Sequence, residues 1–170
     1  MIREGDNTQR LVMTALMASL VMLGTVLLRI PVPMTQGYVH LGDAVIYTGV
    51  ILLGRRNGTI AAALGSVLAD VLGGYVMWAP WTLLIKAAMA ASAGTFAERT
   101  GAGDAGAERY RLITGMALGG LIMCAGYFIA EGIMYGNWPA AMLGIPWNVG
   151  QAAVGMAVSL MIVKKILPHM

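Results

Sequence analysis

Residues 40–86 read HLGDAVIYTGVILLGRRNGTIAAALGSVLADVLGGYVMWAPWTLLIK, and the alternation of long apolar runs with short polar breaks in this stretch decides the fold. An apolar run from Leu41 to Leu53 ends at Gly54, Arg55, Arg56, Asn57 and Gly58. A second runs from Thr59 to Trp78, and Pro80 opens a third that continues to Ala97. Judged against the roughly 20 apolar residues that a spanning helix needs, these are membrane segments, the first of them short. Asp43, Asp70 and Lys86 are set inside them. A charge in hydrocarbon costs about 2.5 to 3.5 kcal/mol on insertion scales, so such residues line a cavity, pair with one another, or handle a polar ligand.

The rest of the chain fits the same reading. It has 170 residues, 58% hydrophobic and 11% charged, with a mean hydropathy of +0.74, values that belong to an integral membrane protein. Three further apolar segments run from Gln9 to Leu28, Leu112 to Tyr135 and Trp147 to Ile166. The expected architecture is therefore all-α, one membrane domain over residues 1–170, with helices near 9–28, 41–53, 59–78, 80–97, 112–135 and 147–166. A cytoplasmic loop is expected over 98–111. The charged start, with Arg3, Glu4, Asp6 and Arg10, leads into no small-residue cleavage site and does not read as a removable signal peptide. The loop Arg29 to His40 carries Pro31, Pro33 and Gly37, which forbid a continuous helix, and it is a candidate lid. With the N-terminus inside, nine of the eleven basic residues fall on the cytoplasmic side, so both termini are expected there. That bias accounts for the net charge of +3 without a nucleic-acid partner.

On this map Asp43, Asp70, Lys86 and Glu131 all fall in the outer half of their helices. Residues four apart share a helix face, which aligns Asp43 with Tyr47, Ser66 with Asp70, Tyr127 with Glu131, and Trp78 and Thr82 with Lys86. Asn148 and Gln151 share a face of the last helix with Gly155 and Ser159. Five helices thus offer polar stripes at similar depth, which points to a pocket. Plainer readings exist for several of these residues. Asp70 and Lys86 suit a structural ion pair, and Asp43 suits a first-turn acid or cap. Aromatic residues at helix ends, such as Tyr38, Tyr75, Trp78, Trp81, Trp138 and Trp147, serve as interfacial anchors. His40 is most simply a loop histidine.

Several chemistries are set aside. No GxxxxGK[ST] loop is present for nucleotide phosphates, and no HExxH or paired-cysteine spacing for a metal, so no cofactor or metal is expected. Cys124 is the single cysteine and lies in an apolar segment. Gly101 to Asp104 spell GxGD, the string of intramembrane aspartyl proteases, but they lie in a polar, charged loop. Small residues, including Gly115 and Gly119, and Ala15 with Ser19 one turn apart, suit close packing or a docking face. Fourteen methionines are flexible apolar fillers.

The residues His40, Leu41, Gly42 and Asp43, then Gly54, Gly58, Gly65, Ser66, Asp70, Gly74, Tyr75, Pro80, Thr82 and Lys86, with Pro146, Trp147, Asn148 and Gln151 opening the last helix, carry a resemblance. The chain is similar to the substrate-binding S components of energy-coupling factor (ECF) vitamin transporters, most of all to the group handling riboflavin, hydroxymethylpyrimidine or vitamin B6 compounds. The resemblance implies a multi-pass protein of the bacterial cell membrane that captures a water-soluble vitamin from outside. It also implies partners, namely a transmembrane coupling protein and two ATPase subunits, docked through small residues of the first helix such as Ala15 and Ser19. No catalysis is expected. In the pocket, Asp70, Lys86 and Glu131 would fix hydrogen-bonding groups of the ligand and Asn148 and Gln151 would offer donors and acceptors. Tyr75, Trp78 or Tyr127 would stack on a ring, with Thr82, His40 and Asp43 completing the set. A stand-alone proton-coupled carrier using Asp70 or Glu131 is the alternative, and a membrane enzyme with acid-base groups a third reading that lacks an evident nucleophile.

Overall fold

Helix α1, Asn7–Val26, buries Thr14, Ala18, Val21 and Thr25, a single stripe at helical spacing, while Leu11, Leu16, Leu20 and Leu23 stand exposed on its other faces. Such an outward apolar surface suits hydrocarbon rather than water. The computed structural model describes residues 7–31, 38–98 and 105–166. Among them it places five helical elements and one two-stranded ribbon: α1, β1 (Arg29–Pro31), β2 (Tyr38–His40), α2 (Gly42–Leu72), α3 (Ala79–Ala97), α4 (Ala105–Tyr135) and α5 (Trp138–Ile166). By length and composition Asn7–Val26, Gly106–Tyr135 and Trp138–Ile166 are each sufficient to cross a membrane.

The helices expected near 41–53 and 59–78 are two arms of α2. Gly54 breaks the helix between them with φ 79° and ψ 171°, a backbone region open almost only to glycine. The chain doubles back there, since a methyl at Gly58 would lie 2.5 Å from the Cα of Val50, eight residues earlier. The Glu98 carboxylate at the end of α3 accepts the Arg55 backbone N–H at 3.0 Å, one of the donors that the break leaves without an intrahelical partner. The second arm ends at Leu72 rather than Trp78, and the turn 73–78 leads into α3, whose Pro80 sits in its first turn.

Three other expectations need correction. Within the stretch 29–40, read as an irregular loop, Arg29–Pro31 and Tyr38–His40 form the antiparallel ribbon, with Arg29 opposite His40 and Ile30 opposite Val39, so the described residues are not purely α. Proline bars a helix but tolerates an extended edge, and Ile30 and Val39 favour one. Residues 105–111, expected in the loop 98–111, are the first two turns of α4; Ala, Glu and Arg there are strong helix formers that an apolar-run criterion overlooks. The last helix begins at Trp138, not Trp147. Asn137 Oδ1 accepts the Ala140 N–H at 3.1 Å as a cap, Pro139 occupies the first turn, and the helix continues through Pro146. Pro33, Gly37, the GxGD run of 101–104 and His169 lie outside the described residues.

Small residues set the spacing between helices. A methyl at Gly65 would lie 2.4 Å from the Ala18 carbonyl, joining α1 to α2. One at Gly119 would lie 2.8 Å from the Met89 carbonyl, and one at Gly115 2.7 Å from Phe96, joining α3 to α4. The apolar centre includes Val21, Ile46, Tyr47, Val50, Met89 and Met123, and the Tyr47 hydroxyl donates to the Met116 carbonyl at 2.8 Å.

Candidate functional site

Lys86, on α3, and Asp43, in the first turn of α2, meet in the centre of the bundle as an ion pair with neither side chain exposed. Asp43 is therefore more than a helix cap: the cap position is Leu41, and the carboxylate is turned inward. Its second oxygen accepts from the Gln151 side-chain amide at 2.7 Å, and the Gln151 carbonyl accepts the His40 backbone N–H at 2.9 Å. Lys86 spends its remaining donors on the thioethers of Met123 at 3.1 Å and Met89 at 3.9 Å. The ammonium is thereby matched by one carboxylate and soft acceptors, the arrangement that burial of a charge demands. The pairing of Lys86 with Asp70 considered from sequence is not formed; Asp43 takes that place.

Next to this pair lies a cavity that opens in part to solvent. Asp70 and Ser66 enter it from α2, one turn apart. Tyr75, Trp78 and Thr82 enter from the turn before α3 and from its first residues. Tyr127 and Glu131 come from α4, and Gly144, Asn148 and Gln151 from α5. Thr25 of α1 and Tyr38 and His40 of the ribbon complete the wall. Asp43 and Lys86 do not line it. They stand behind Gln151 and Tyr127, with the Lys86 ammonium 5.4 Å from the Tyr127 ring centre.

Two buried polar groups in this wall lack partners among the described residues: Asp70 Oδ2 and Ser66 Oγ. Asp70 and Ser66 are only 3% and 1% exposed. A buried carboxylate oxygen without a donor and a buried hydroxyl without any partner are both costly, so the two facing a cavity mark where a ligand supplies a hydrogen to one and a polar partner to the other. The other Asp70 oxygen accepts from Tyr38 Oη at 2.6 Å, which latches the ribbon to α2 over the cavity. Burial, reinforced by that hydrogen bond and by the Asp70 charge, raises the Tyr38 phenol above its ordinary range and keeps it a donor. Tyr38 also packs against Tyr75 at 4.7 Å and His40 at 5.7 Å, with the Arg29 guanidinium 4.5 Å from its ring centre. Arg29 donates to the Ala69 carbonyl at 2.8 Å and does so across Gly73, where any side chain would collide with it. Trp78 and Tyr127 face each other at 6.0 Å on the far side. The cavity is thus bounded by aromatic rings with carboxylates at its edges.

His40 is not a free loop residue. Its Nδ1 accepts the Gly42 N–H at 3.0 Å, and burial lowers its pKa from 6.5 to about 3, so the ring is neutral. Glu131 Oε2 would lie 3.1 Å from a methyl at Gly144, so glycine there gives the carboxylate room. Of the residues singled out from sequence, nine line this one cavity, whereas Asp43 and Lys86 form its supporting pair. Ala15 and Ser19 are far from it in role: both are exposed on the outer face of α1, with Ser19 bonded to the Ala15 carbonyl at 3.0 Å. Sequence reasoning placed Tyr38 as an interfacial anchor and missed Thr25 and Gly144. Only the crossing of α1 and the depth of Glu131 bring these into the wall. A second, apolar cavity of about 410 Å³, partly open to solvent, lies between the ribbon and α5, lined by residues such as Leu27, Ile30, Trp147 and Val154, and shares His40 and Gln151 with the first.

Comparison with known proteins agrees with this geometry. Residues 5–167 match the family described as ECF-type riboflavin transporter, S component. The chain is 28% identical over 159 residues to the thiamine precursor transporter HmpT of Lactococcus lactis, covering 93% of this chain and 87% of that one. It is 39% identical over 113 residues to an uncharacterised protein of Pyrococcus woesei, 66% of this chain and 71% of that one. The fold superposes on the solved S component of a bacterial ECF transporter with a TM-score of 0.77 and 16% identity, over 96% of this chain and 98% of that one. The match over nearly the whole length, on an apolar helical bundle with one aromatic-walled cavity, makes this chain a multi-pass membrane protein of the ECF-type riboflavin transporter S-component family, a transport subunit and not an enzyme.

Proposed function

We propose that this chain is the substrate-specific subunit of an ECF importer and captures a water-soluble B vitamin or vitamin precursor, a heteroaromatic compound of the riboflavin, hydroxymethylpyrimidine or vitamin B6 type. The observation that carries this reading is the cavity itself: a wall of aromatic rings with two unpartnered buried polar groups, the Asp70 Oδ2 acceptor and the Ser66 hydroxyl. Rings stack on Tyr75, Trp78 or Tyr127, and the amides of Asn148 and Gln151 read substituents at the edge. Kinship to a thiamine precursor transporter supports the pyrimidine members of this class.

Entry is from the outer face, beneath the ribbon. Both termini then lie in the cytoplasm, by the distribution of Arg10, Arg55, Arg56, Arg109, Arg111, Lys164 and Lys165. Release inward depends on a membrane coupling protein and two ATPases, docked on the exposed small-residue face of α1 at Ala15 and Ser19.

Mass spectrometry of small molecules released from the detergent-purified protein, followed by thermal shift with a panel of B vitamins and precursors, tests the reading. One stoichiometric heteroaromatic compound that also raises the melting temperature is the expected result. If no compound copurifies and none stabilises the protein, the vitamin assignment fails.

A further inference from the structure

The acidic and basic side chains lining the cavity do not balance. Asp70 and Glu131 both line it, and no lysine or arginine does among the described residues. Lys86, the cation nearest in sequence pattern, is matched by Asp43 and has no exposed surface. Arg29 is held to the Ala69 carbonyl and lies over the rings of Tyr38 and Tyr75 without lining the cavity. The remaining titratable groups in the wall are Tyr38 and His40 of the ribbon, Tyr75 of the turn and Tyr127 of α4; α1 and α5 contribute only Thr25, Asn148 and Gln151 in polar side chains. None of these supplies a positive charge, since His40 is neutral and accepts the Gly42 N–H.

Four aromatic rings, Tyr38, Tyr75, Trp78 and Tyr127, surround this acidic space. Ring faces attract cations through their quadrupole. Asp70 adds a buried oxygen that has no donor, with the equally unpartnered Ser66 hydroxyl one turn away. We propose that the site takes its ligand as an organic cation, a ring bearing a protonated or fixed positive nitrogen, with Asp70 and Glu131 as counter-charges, and that it rejects phosphorylated and other anionic forms.

This rests on the vitamin-binding reading above and narrows it. A phosphate ester would set two more negative charges against Asp70 and Glu131 in a low-dielectric site, where such repulsion is least screened. A neutral ring fills the space but brings no counter-charge to Glu131 or to the second oxygen of Asp70. A cation brings one.

The test is calorimetric titration of the detergent-purified full chain with one ring in three charge states: 4-amino-5-hydroxymethyl-2-methylpyrimidine, its phosphate ester, and its ring-N-methylated pyrimidinium. Pyridoxamine, pyridoxine and pyridoxamine phosphate form a second series, and riboflavin is the neutral control. In the series that binds, the cation is expected to bind at least about tenfold tighter than the neutral form, and the phosphate ester about 100-fold weaker or not at all. The protonatable form should tighten as pH falls from about 8 to about 6, with proton uptake, while the fixed cation should not. Asp70→Asn and Glu131→Gln should each weaken the cation at least about tenfold more than they weaken the neutral form, a pattern that simple loss of structure does not produce.

Riboflavin or a neutral ring binding as tightly as the cation, or a phosphate ester binding as well as its parent, overturns the charge assignment and leaves the vitamin reading intact. Equal loss of cation and neutral binding in both variants also overturns it. Binding of none of these compounds rejects both.

Discussion

Lys86 and Asp43 are tolerable in the interior because each neutralises the other, and the energetic consequence separates a structural role from a ligand contact. Removing one partner strands a buried charge, so Lys86→Met or Asp43→Asn alone should destabilise the protein by about 3 to 5 kcal/mol, whereas the double variant should recover most of that loss. Thermal unfolding of the four proteins in detergent reads the cycle, and ligand affinity in the double variant should stay within about tenfold of the parent. Single variants that unfold like the parent yet lose the ligand would instead place Lys86 in contact with it. His40 behaves differently. Its pKa is held to about 3 against an ordinary 6.5, so the unfolded chain binds a proton in the interval between them and the folded chain does not. Its contribution to stability is complete above about pH 6.5 and is lost at up to about 1.4 kcal/mol per unit as pH falls toward 3. The melting temperature should therefore fall more steeply with acid in the parent than in His40→Asn. That Asp43, Asp70, Lys86 and Glu131 belong together was legible in the sequence, because charge in hydrocarbon is rare enough to be informative. Which acid takes the lysine was not. Asp43 and Asp70 lie on different arms of α2, and only the reversal at Gly54 decides which one Lys86 meets.

At the level of elements, the ribbon and the break in α2 carry the function. The Tyr38 hydroxyl on Asp70 and the Arg29 guanidinium on the Ala69 carbonyl latch the ribbon to α2, and Gln151 holds the same ribbon from α5 through the His40 N–H. Tyr38→Phe should keep the fold and the stacking but open the mouth more often. Stopped-flow release of a bound vitamin is expected to speed up about tenfold, in keeping with loss of one charge-assisted hydrogen bond, and the melting temperature should fall by an amount worth about 1 to 3 kcal/mol because a buried Asp70 oxygen loses its donor. Unchanged release would mean that the ribbon is held chiefly by Arg29 and Gln151. Gly54→Ala tests the break itself: at φ 79° and ψ 171° an alanine is strained by about 1 to 3 kcal/mol, and the variant should melt earlier without altered ligand selectivity. Element boundaries were less legible than element existence. Apolar-run length finds a helix by its lipid-facing surface, and so it lost the polar start of α4 at 105–111. It also stopped at Pro146, although a helix keeps its course past proline where neighbouring groups take up the freed carbonyl. The ribbon escaped because Pro31 argued only against helix and left pairing unspecified.

The bundle as a whole presents two unlike surfaces. Inside, glycines let backbones touch at Gly65, Gly115 and Gly119, which fixes the cavity's position. Outside, α1 shows Leu11, Leu16, Leu20 and Leu23 around the small side chains of Ala15 and Ser19. Thr14 and Ala18, the other small pair one turn apart on this helix, are buried against the bundle and are unavailable to a partner. That division selects Ala15 and Ser19 as the pair that can let a second membrane helix approach closely, since small residues govern helix contact where no hydrophobic gain distinguishes protein from lipid. Because this face and the ligand cavity use no common residue, capture and delivery should separate in experiment. Ala15→Leu combined with Ser19→Leu should leave vitamin affinity within about twofold while reducing uptake at least about tenfold in proteoliposomes that contain the coupling protein and ATPases. Uptake that survives the double variant would move the docking face to another side of the bundle. Loss of binding together with uptake would show that α1 shapes the cavity, through Thr25, more than its outward residues suggest.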